Sequence, residues 1–241
     1  MKVVILSGGK GSRYDVDKPK SLAMIGNKPI IHHLMNIYAK QGYKEFILCL
    51  GWKQEEIVRY FITHKHGYKI DFNDTGQDSH TAKRLKLIEK YIPKEDKNFF
   101  CTYADGLANV DLMRLCARHL TNKNIATLTT VQPTNQFGIL EFNGNGNVKE
   151  FKEKPKMVEY INGGFFIFNR KIFDYIDIEK NQELEKDVLT KLAEDNQLGS
   201  YKHDTKNVFW ETLNTLKDEI NLNNILTKCT KNGKEPLWLD I

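Results

Sequence analysis

Apolar and polar positions along this chain fall into two alternating rhythms. MKVVI at the amino terminus, then EFILCLG, NFFCTY and NIATLTTV, are short apolar runs rich in β-branched and aromatic residues, the pattern of strands covered on both faces. YKIDFN alternates and reads as a strand with one open face. Between these runs the apolar residues recur at helical spacing. PIIHHLMNIYAKQG puts Ile30, Ile31, Leu34, Ile37 and Tyr38 on one face, with Pro29 at its start and Gly42 at its end. QEEIVRYFITH, TAKRLKLIEKYI and DLMRLCARHL read as further helices, the last with Asn109 and Asp111 near its amino end to satisfy free N–H groups. Strand and helix in strict alternation predict an α/β fold, a doubly wound, mostly parallel sheet.

The rhythm changes after residue 131. GILEFN and NVKEFKEKP are two alternating strands joined through Gly144, Asn145 and Gly146, a hairpin, and INGGFFIFN is another strand. ELEKDVLTKLAEDNQLG reads as a charged amphipathic helix closed by Gly199; SYKHD and NVFWET read as short strands, and a last helix lies around LKDEINLNNIL. There is no internal repeat or low-complexity linker, so residues 1–241 are expected to form one domain with a mixed sheet.

Composition narrows the setting. Over 241 residues, 40% hydrophobic and 28% charged content are globular values, and no apolar run approaches the roughly 18 residues that span a bilayer. MKVVILSGG lacks the long apolar region of a cleavable signal, which leads us to expect a soluble, cytoplasmic protein with no membrane partner. Cys49, Cys101, Cys116 and Cys229 are scattered without C-x-x-C spacing, which suggests reduced thiols rather than a zinc site or disulfide framework. The net charge of +5 is spread among alternating lysines and glutamates, a balance that suits small anionic substrates better than nucleic acid.

The candidate chemistry begins with LSGGKGSR, directly after the first strand. Gly8, Gly9 and Gly11 allow positive φ and close backbone approach, so N–H groups can turn toward an anion, while Lys10, Arg13, Lys18 and Lys20 add charge beside them. The third glycine of a dinucleotide fingerprint is missing, and the spacing of a Walker A loop does not fit. A nucleotide phosphate remains the expected ligand. Asp105, in the Ala104-Asp105-Gly106 step at the end of NFFCTY, would face the same crevice, because ligands of parallel sheets sit beyond the carboxyl strand ends. A carboxylate beside polyphosphate suggests Mg²⁺, although a D-G pair alone is also a common turn.

Three further features leave alternatives open. Glu153-Lys154-Pro155 offers a carboxylate and an ammonium, yet such charges at a strand end are usually solvated. Asn162-Gly163-Gly164 opens an otherwise apolar strand and reads either as a ligand's approach to the backbone or as a β-bulge. Arg84, judged on its residues alone, is a helix-surface arginine. No Ser-His-Asp arrangement or nucleophile elbow is visible, and no histidine is given a role.

LSGGKGSR, KPK, YADG, EKPK and INGGFF in this order resemble the sugar-1-phosphate nucleotidyltransferases nearly end to end. DTGQDSHTAKRL, TYADGLANVD, VQPTNQFGIL, EKPKMVEYINGGFF and NGKEPLW are similar to the glucose-1-phosphate cytidylyltransferase branch. The resemblance implies a Rossmann-like nucleotidyltransferase fold in which residues 1–131 mainly bind nucleotide and 132–241 mainly bind sugar. It implies Mg²⁺-dependent joining of CTP and a sugar 1-phosphate, most plainly glucose 1-phosphate, to give a CDP-sugar and pyrophosphate. A relative using another phosphorylated sugar or UTP, or a nucleotide-sugar-binding protein with weakened catalysis, are the alternatives.

By the same resemblance Leu6, Gly8, Gly9, Lys10, Gly11 and Ser12 cradle the nucleotide, with Arg84 and Asp105 also contacting it. Arg13 lies on the leaving pyrophosphate and Lys20 near the α-phosphate. Lys154 holds the sugar phosphate and joins Arg13 and Lys20 as a catalytic group, and Glu153, Asn162 and Gly163 orient the sugar. Asp105 holds the metal, and Asn214 stands where the family has a second metal-binding aspartate. The loop between Arg13 and Lys18 is short, Tyr14 replaces a common leucine, and FITHKHGYKIDFN is shortened, which bears on whether the family's homo-oligomeric assembly is kept.

Overall fold

The computed structural model describes every residue except 12, 13, 15, 16 and 205–207. Strands β1 (Val3–Leu6), β2 (Met24–Ile25), β3 (Lys28–Pro29), β4 (Glu45–Leu50), β5 (Lys69–Asp74), β6 (Asn98–Tyr103) and β7 (Gly106–Ala108) alternate with helices α1 (Ile30–Lys40), α2 (Gln54–Thr63), α3 (Thr81–Leu87) and α4 (Leu112–Asn122). After β8 (Ala126–Val131) come β9 (Ile139–Phe142), β10 (Val148–Lys152) and β11 (Ile161–Asn169). The chain ends through α5 (Thr190–Glu194), β12 (Leu198–Lys202), β13 (Trp210–Thr212) and α6 (Leu216–Lys231).

The main sheet has seven strands in the order β12-β8-β11-β6-β1-β4-β5. All run parallel except β11, which is antiparallel to β6 and β8. The mixed, mostly parallel α/β architecture expected from the rhythm of the sequence is therefore present. Val3 and Ile5 point into one apolar layer with α1, α2, α4 and Leu222 of α6; Val4 and Leu6 point into a second layer with α3 and Leu192 of α5. Each fully buried Val, Ile or Leu contributes about 1.5–3 kcal/mol, which is why a strand with no polar alternation can only be central. Phe165 and Ile167 of β11, Leu213 and Trp238 share the first layer with α1, so both halves of the chain close one core.

Several elements differ from expectation. TAKRLKLIEKYI breaks after Leu87 into a separate 3-10 turn at Glu89–Tyr91. The charged helix opens as a π-helical turn, Leu184–Leu189, before α5, and Gly199 does not close it. Gly199 lies inside β12, and Asn196 takes the left-handed conformation that reverses the chain. The β9–β10 hairpin forms as predicted but stands off the main sheet, with every one of its strand residues exposed. The four cysteines are free, and burial pushes the Cys49 thiol up to about 12, which leaves it unreactive. Among the described residues no helix is long and apolar enough to cross a membrane.

Candidate functional site

Strand β1 lies between β4 and β6, so the chain winds outward on both sides of it and a crevice opens at its carboxyl end. The glycine loop starts there. Ser7 N donates to Cys49 O at 3.0 Å and Trp52 N donates to Gly8 O at 3.2 Å, which ties the loop to the neighbouring strand end. Behind it Arg84 is only 3% exposed, not on the helix surface. Its guanidinium donates to Leu50 O, Thr75 Oγ1 and Gly76 O through Nη1, and to Gly8 O and Gln77 O through Nη2, all at 2.7–3.1 Å. Burial depresses the Arg84 pKa, opposed in part by Cys49, Asp74 and Asp78. A Cβ on Gly8 would lie 2.0 Å from Arg84 Nη1, so Gly8 is required by this close approach. Of the three loop glycines only Gly11 has a positive φ, at 61°.

Lys20 opens the 3-10 turn Lys20–Leu22 and forms an ion pair with Asp105, both side chains about one-fifth exposed. Asp105 O accepts from Leu213 N at 2.8 Å, and Gly106 of β7 pairs with Thr212 of β13. This pairing carries Asn214 into the same cavity as Asp105. The cavity measures about 680 Å³ and is lined by the loop Leu6–Gly11, Lys20, Arg84, Asp105 and Asn214. Asn214 N donates to Asp218 Oδ2 at 2.9 Å, and the same carboxylate closes the capping box with Thr215 at the start of α6. Asn214 Nδ2 donates to Thr212 Oγ1 at 3.0 Å, which fixes the amide's orientation. Lys10 sits at the open rim, 3.4 Å from Asp78. Ser12 and Arg13 lie outside the described residues.

The opposite side is built differently. The register of β11 shifts between Asn162 and Phe166, a β-bulge, and Gly164 has φ 79° with its missing Cβ facing the Tyr103 ring at 2.8 Å. Trp210 Nε1 donates to Gly163 O at 2.9 Å. A Cβ on Gly163 would lie 3.0 Å from Thr129 O, so the protein's own packing accounts for both glycines. Asn162 and Gly163 still reach the crevice, lining a cleft of about 40 Å³ with Asp105, Trp210 and Thr212. Lys154 does not enter the 680 Å³ cavity; it lines a wider one of about 1140 Å³ with Trp210, Glu211 and Asn214. Glu153 and Lys154 are 62% and 59% exposed and 3.8 Å apart.

Thr212 borders all three cavities, so they form one groove over the carboxyl edge of the sheet. Tyr103, Glu185, Glu211 and Thr212 also line it and were not singled out from the sequence. Tyr103 was within reach, being two residues before Asp105 on the same strand end. Glu185 and Glu211 had no local signal. Burial pushes the Glu211 carboxyl up, and the nearby Asp218 adds to that shift.

Among the described residues no group of three or more His, Cys, Asp or Glu side chains could hold a metal. One carboxylate and the Asn214 amide oxygen suit Mg²⁺ that takes its remaining ligands from phosphate oxygens and water. The residues fit an ion that arrives with a polyphosphate.

A profile of the family described as nucleotidyl transferase matches residues 2–241. The chain belongs to this nucleotidyl transferase family. It is 40% identical to a Bacillus subtilis (strain 168) protein named probable glucose-1-phosphate cytidylyltransferase, over 92% of this chain and 95% of that one. It is 35% identical to the glucose-1-phosphate cytidylyltransferase of Salmonella typhimurium (strain LT2), over 98% of each chain. The crystal structure of HddC from Yersinia pseudotuberculosis shares the fold at a TM-score of 0.71, with 23% identity over 92% of this chain and 98% of that one.

Proposed function

We propose that this chain joins CTP and a sugar 1-phosphate, glucose 1-phosphate in the first instance, to give a CDP-sugar and pyrophosphate. The observation that carries this reading is the Lys20–Asp105 pair beside the glycine loop at the sheet's switch point, in a chain that matches named cytidylyltransferases along nearly its whole length. A phosphate oxygen of the sugar 1-phosphate forms the new bond to the α-phosphorus of CTP. The bond from that phosphorus to the bridging oxygen breaks, and its electron pair leaves with pyrophosphate.

Such a displacement needs positioning and charge stabilisation more than covalent chemistry. The backbone of Gly8–Gly11, fixed from behind by Arg84, receives the triphosphate, and Ser12 and Arg13, which follow in the sequence, are assigned to it by resemblance alone. Lys20 exchanges Asp105 for the α-phosphate and stabilises charge that builds there. Asp105 and Asn214 Oδ1, together with the nucleotide's phosphate oxygens, would hold Mg²⁺, which supplies positive charge against the departing pyrophosphate. Asn162 and Gly163 border the sugar, while Lys154 and Glu153 close on its phosphate and hydroxyls from the wider side. In this reading residues 1–131 chiefly serve the nucleotide, 132–241 chiefly serve the sugar, and the reaction takes place in the cytoplasm.

The test is pyrophosphate release with Mg²⁺ across the four nucleoside triphosphates and a panel of sugar 1-phosphates. CTP with glucose 1-phosphate is expected to give the highest kcat/KM. Absence of turnover with every pair would overturn the reading.

A further inference from the structure

The π-helical turn Leu184–Leu189 is a rare winding that recurs at functional sites. It delivers Glu185 into the cavity shared by the glycine loop, Lys20 and Asp105. Two hydroxyls from separate elements fix the carboxylate there. Tyr103 Oη, at the end of β6, donates to Oε1, and Thr81 Oγ1, at the start of α3, donates to Oε2 at 3.2 Å. Thr81 Oγ1 also accepts from Leu184 N at 2.7 Å, and Tyr103 Oη accepts from Asn162 Nδ2 at 3.5 Å. Both hydroxyl protons are thereby committed to Glu185. Burial, reinforced by Glu185 itself, raises the Tyr103 pKa far above its ordinary value, so the phenol stays a donor.

Glu183, two residues earlier, forms an ion pair with Lys186 at 2.9 Å, whereas no cation among the described residues pairs with Glu185. Each Glu185 oxygen carries one hydroxyl donor and keeps a further lone pair. A half-buried carboxylate without a cation repels phosphate and seeks donors. The substrates of the reaction proposed above carry donors only as sugar hydroxyls and a base amino group. Two oxygens held rigidly side by side match two adjacent hydroxyls on one ring.

Resting on that reaction class, we propose that Glu185 is a specificity-determining residue that accepts hydrogen bonds from adjacent hydroxyls of a bound sugar ring. The ring is either the ribose of the nucleotide or the hexose, and the experiment separates them. Binding of CDP-glucose is measured by calorimetry against two sets of analogues, one lacking the 2′- or 3′-hydroxyl of the ribose, the other lacking single hydroxyls of the hexose.

A hydrogen bond to a charged group corresponds to about a 10- to 100-fold change in affinity. Wild-type protein is expected to lose that much with at least one analogue. Glu185→Gln should bind CDP-glucose correspondingly more weakly and lose nothing further with the same analogue. Which set contains that analogue identifies the ring. Wild-type discrimination retained by Glu185→Gln in both sets, or equal weakening of all ligands, would overturn the assignment. Should Glu185→Gln not fold, Glu185→Asp, which withdraws the carboxylate by one methylene, serves in the same comparison. Because the readout is binding, failure of pyrophosphate release with discrimination by Glu185 intact would overturn the proposed reaction and leave this assignment standing.

Discussion

On the glycine-loop side of the groove, Arg84 is 3% exposed and bonded to five acceptors, and Lys20 and Asp105 are paired and mostly covered. On the other side, Glu153 and Lys154 stand about 60% exposed at the base of the β9–β10 hairpin, and one face of that hairpin carries Leu140, Phe142, Val148 and Phe151 in the open. Among the described residues the first wall is held by its own contacts. A two-stranded hairpin covered by nothing contributes little stability of its own, so contacts made by the second wall depend on what it meets. In the proposed reading triphosphate, common to every nucleotide, meets the fixed wall, and the sugar meets the wider one.

The contrast predicts unequal responses to substitution. The largest effect is expected from Lys20→Ala, which removes a charge from an enclosed position. Turnover should fall by about 10²–10³-fold while urea unfolding stays near that of the wild type, as steady-state kinetics and denaturation will show. Retained turnover in the folded variant would remove Lys20 from the mechanism. Arg84→Met breaks the same wall through its scaffold, leaving Gly8 O, Leu50 O, Gly76 O and Gln77 O without this donor. A loss of about 3 kcal/mol in unfolding free energy is expected, readable as a lowered urea midpoint.

Acid should loosen the core behind both walls. Burial, with Lys28 adding to it, lowers the His32 pKa to about 4, and burial also lowers those of His33, His119 and His203. A histidine whose folded pKa lies below its unfolded value of about 6.5 contributes stability above pH 6.5, and that contribution is lost as pH falls toward 4. His33 Nε2 bonds Ile25 O, a contact that partly opposes the lowering by burial. Urea midpoints should hold nearly level from pH 7.5 to about 6.5 and fall from there to pH 5, with His32 accounting for at most about 3 kcal/mol at full effect. A flat profile would contradict neutral burial of these rings.

Smaller effects belong to the open wall and to the metal. Lys154→Ala should raise KM for the sugar phosphate about tenfold with little change in stability, since an exposed lysine loses only the contact it makes in the complex. A thousandfold loss of kcat would mean that the hairpin closes into a wall as enclosed as the first. Asn214→Asp adds a negative charge beside Asp105, and the Mg²⁺ concentration for half-maximal activity should fall by several-fold. An unchanged metal dependence would separate Asn214 from the ion.

Much of the fold was legible because its elements are locally consistent. Uninterrupted apolar runs can only be central strands, and the face carrying Ile30, Ile31, Leu34 and Ile37 can only be a buried helix stripe. Asp111 was readable as a cap because capping is decided within four residues, and its carboxylate accepts from Arg114 N at 2.9 Å. The π-helical turn at 184–189 and the break after Leu87 were not legible, because helical periodicity does not distinguish one helix type from another.

Within the site, the sequence by itself determined which candidate residues stand near strand ends: the glycine loop after β1, Asp105 after β6, Asn162 and Gly163 at the start of β11. Topology then places them on one edge, since the carboxyl ends of parallel strands share a side and the antiparallel run of β11 brings its start to that same side. Only the tertiary structure decided what each side chain faces. Arg84 is 76 residues from Gly8, Glu185 is 82 from Tyr103, and Lys20 is 85 from Asp105. Contacts across such separations have no local signature. They arise when buried sheet layers bring distant elements together, and there burial turns an ordinary arginine into a scaffold and an ordinary glutamate into a fixed acceptor.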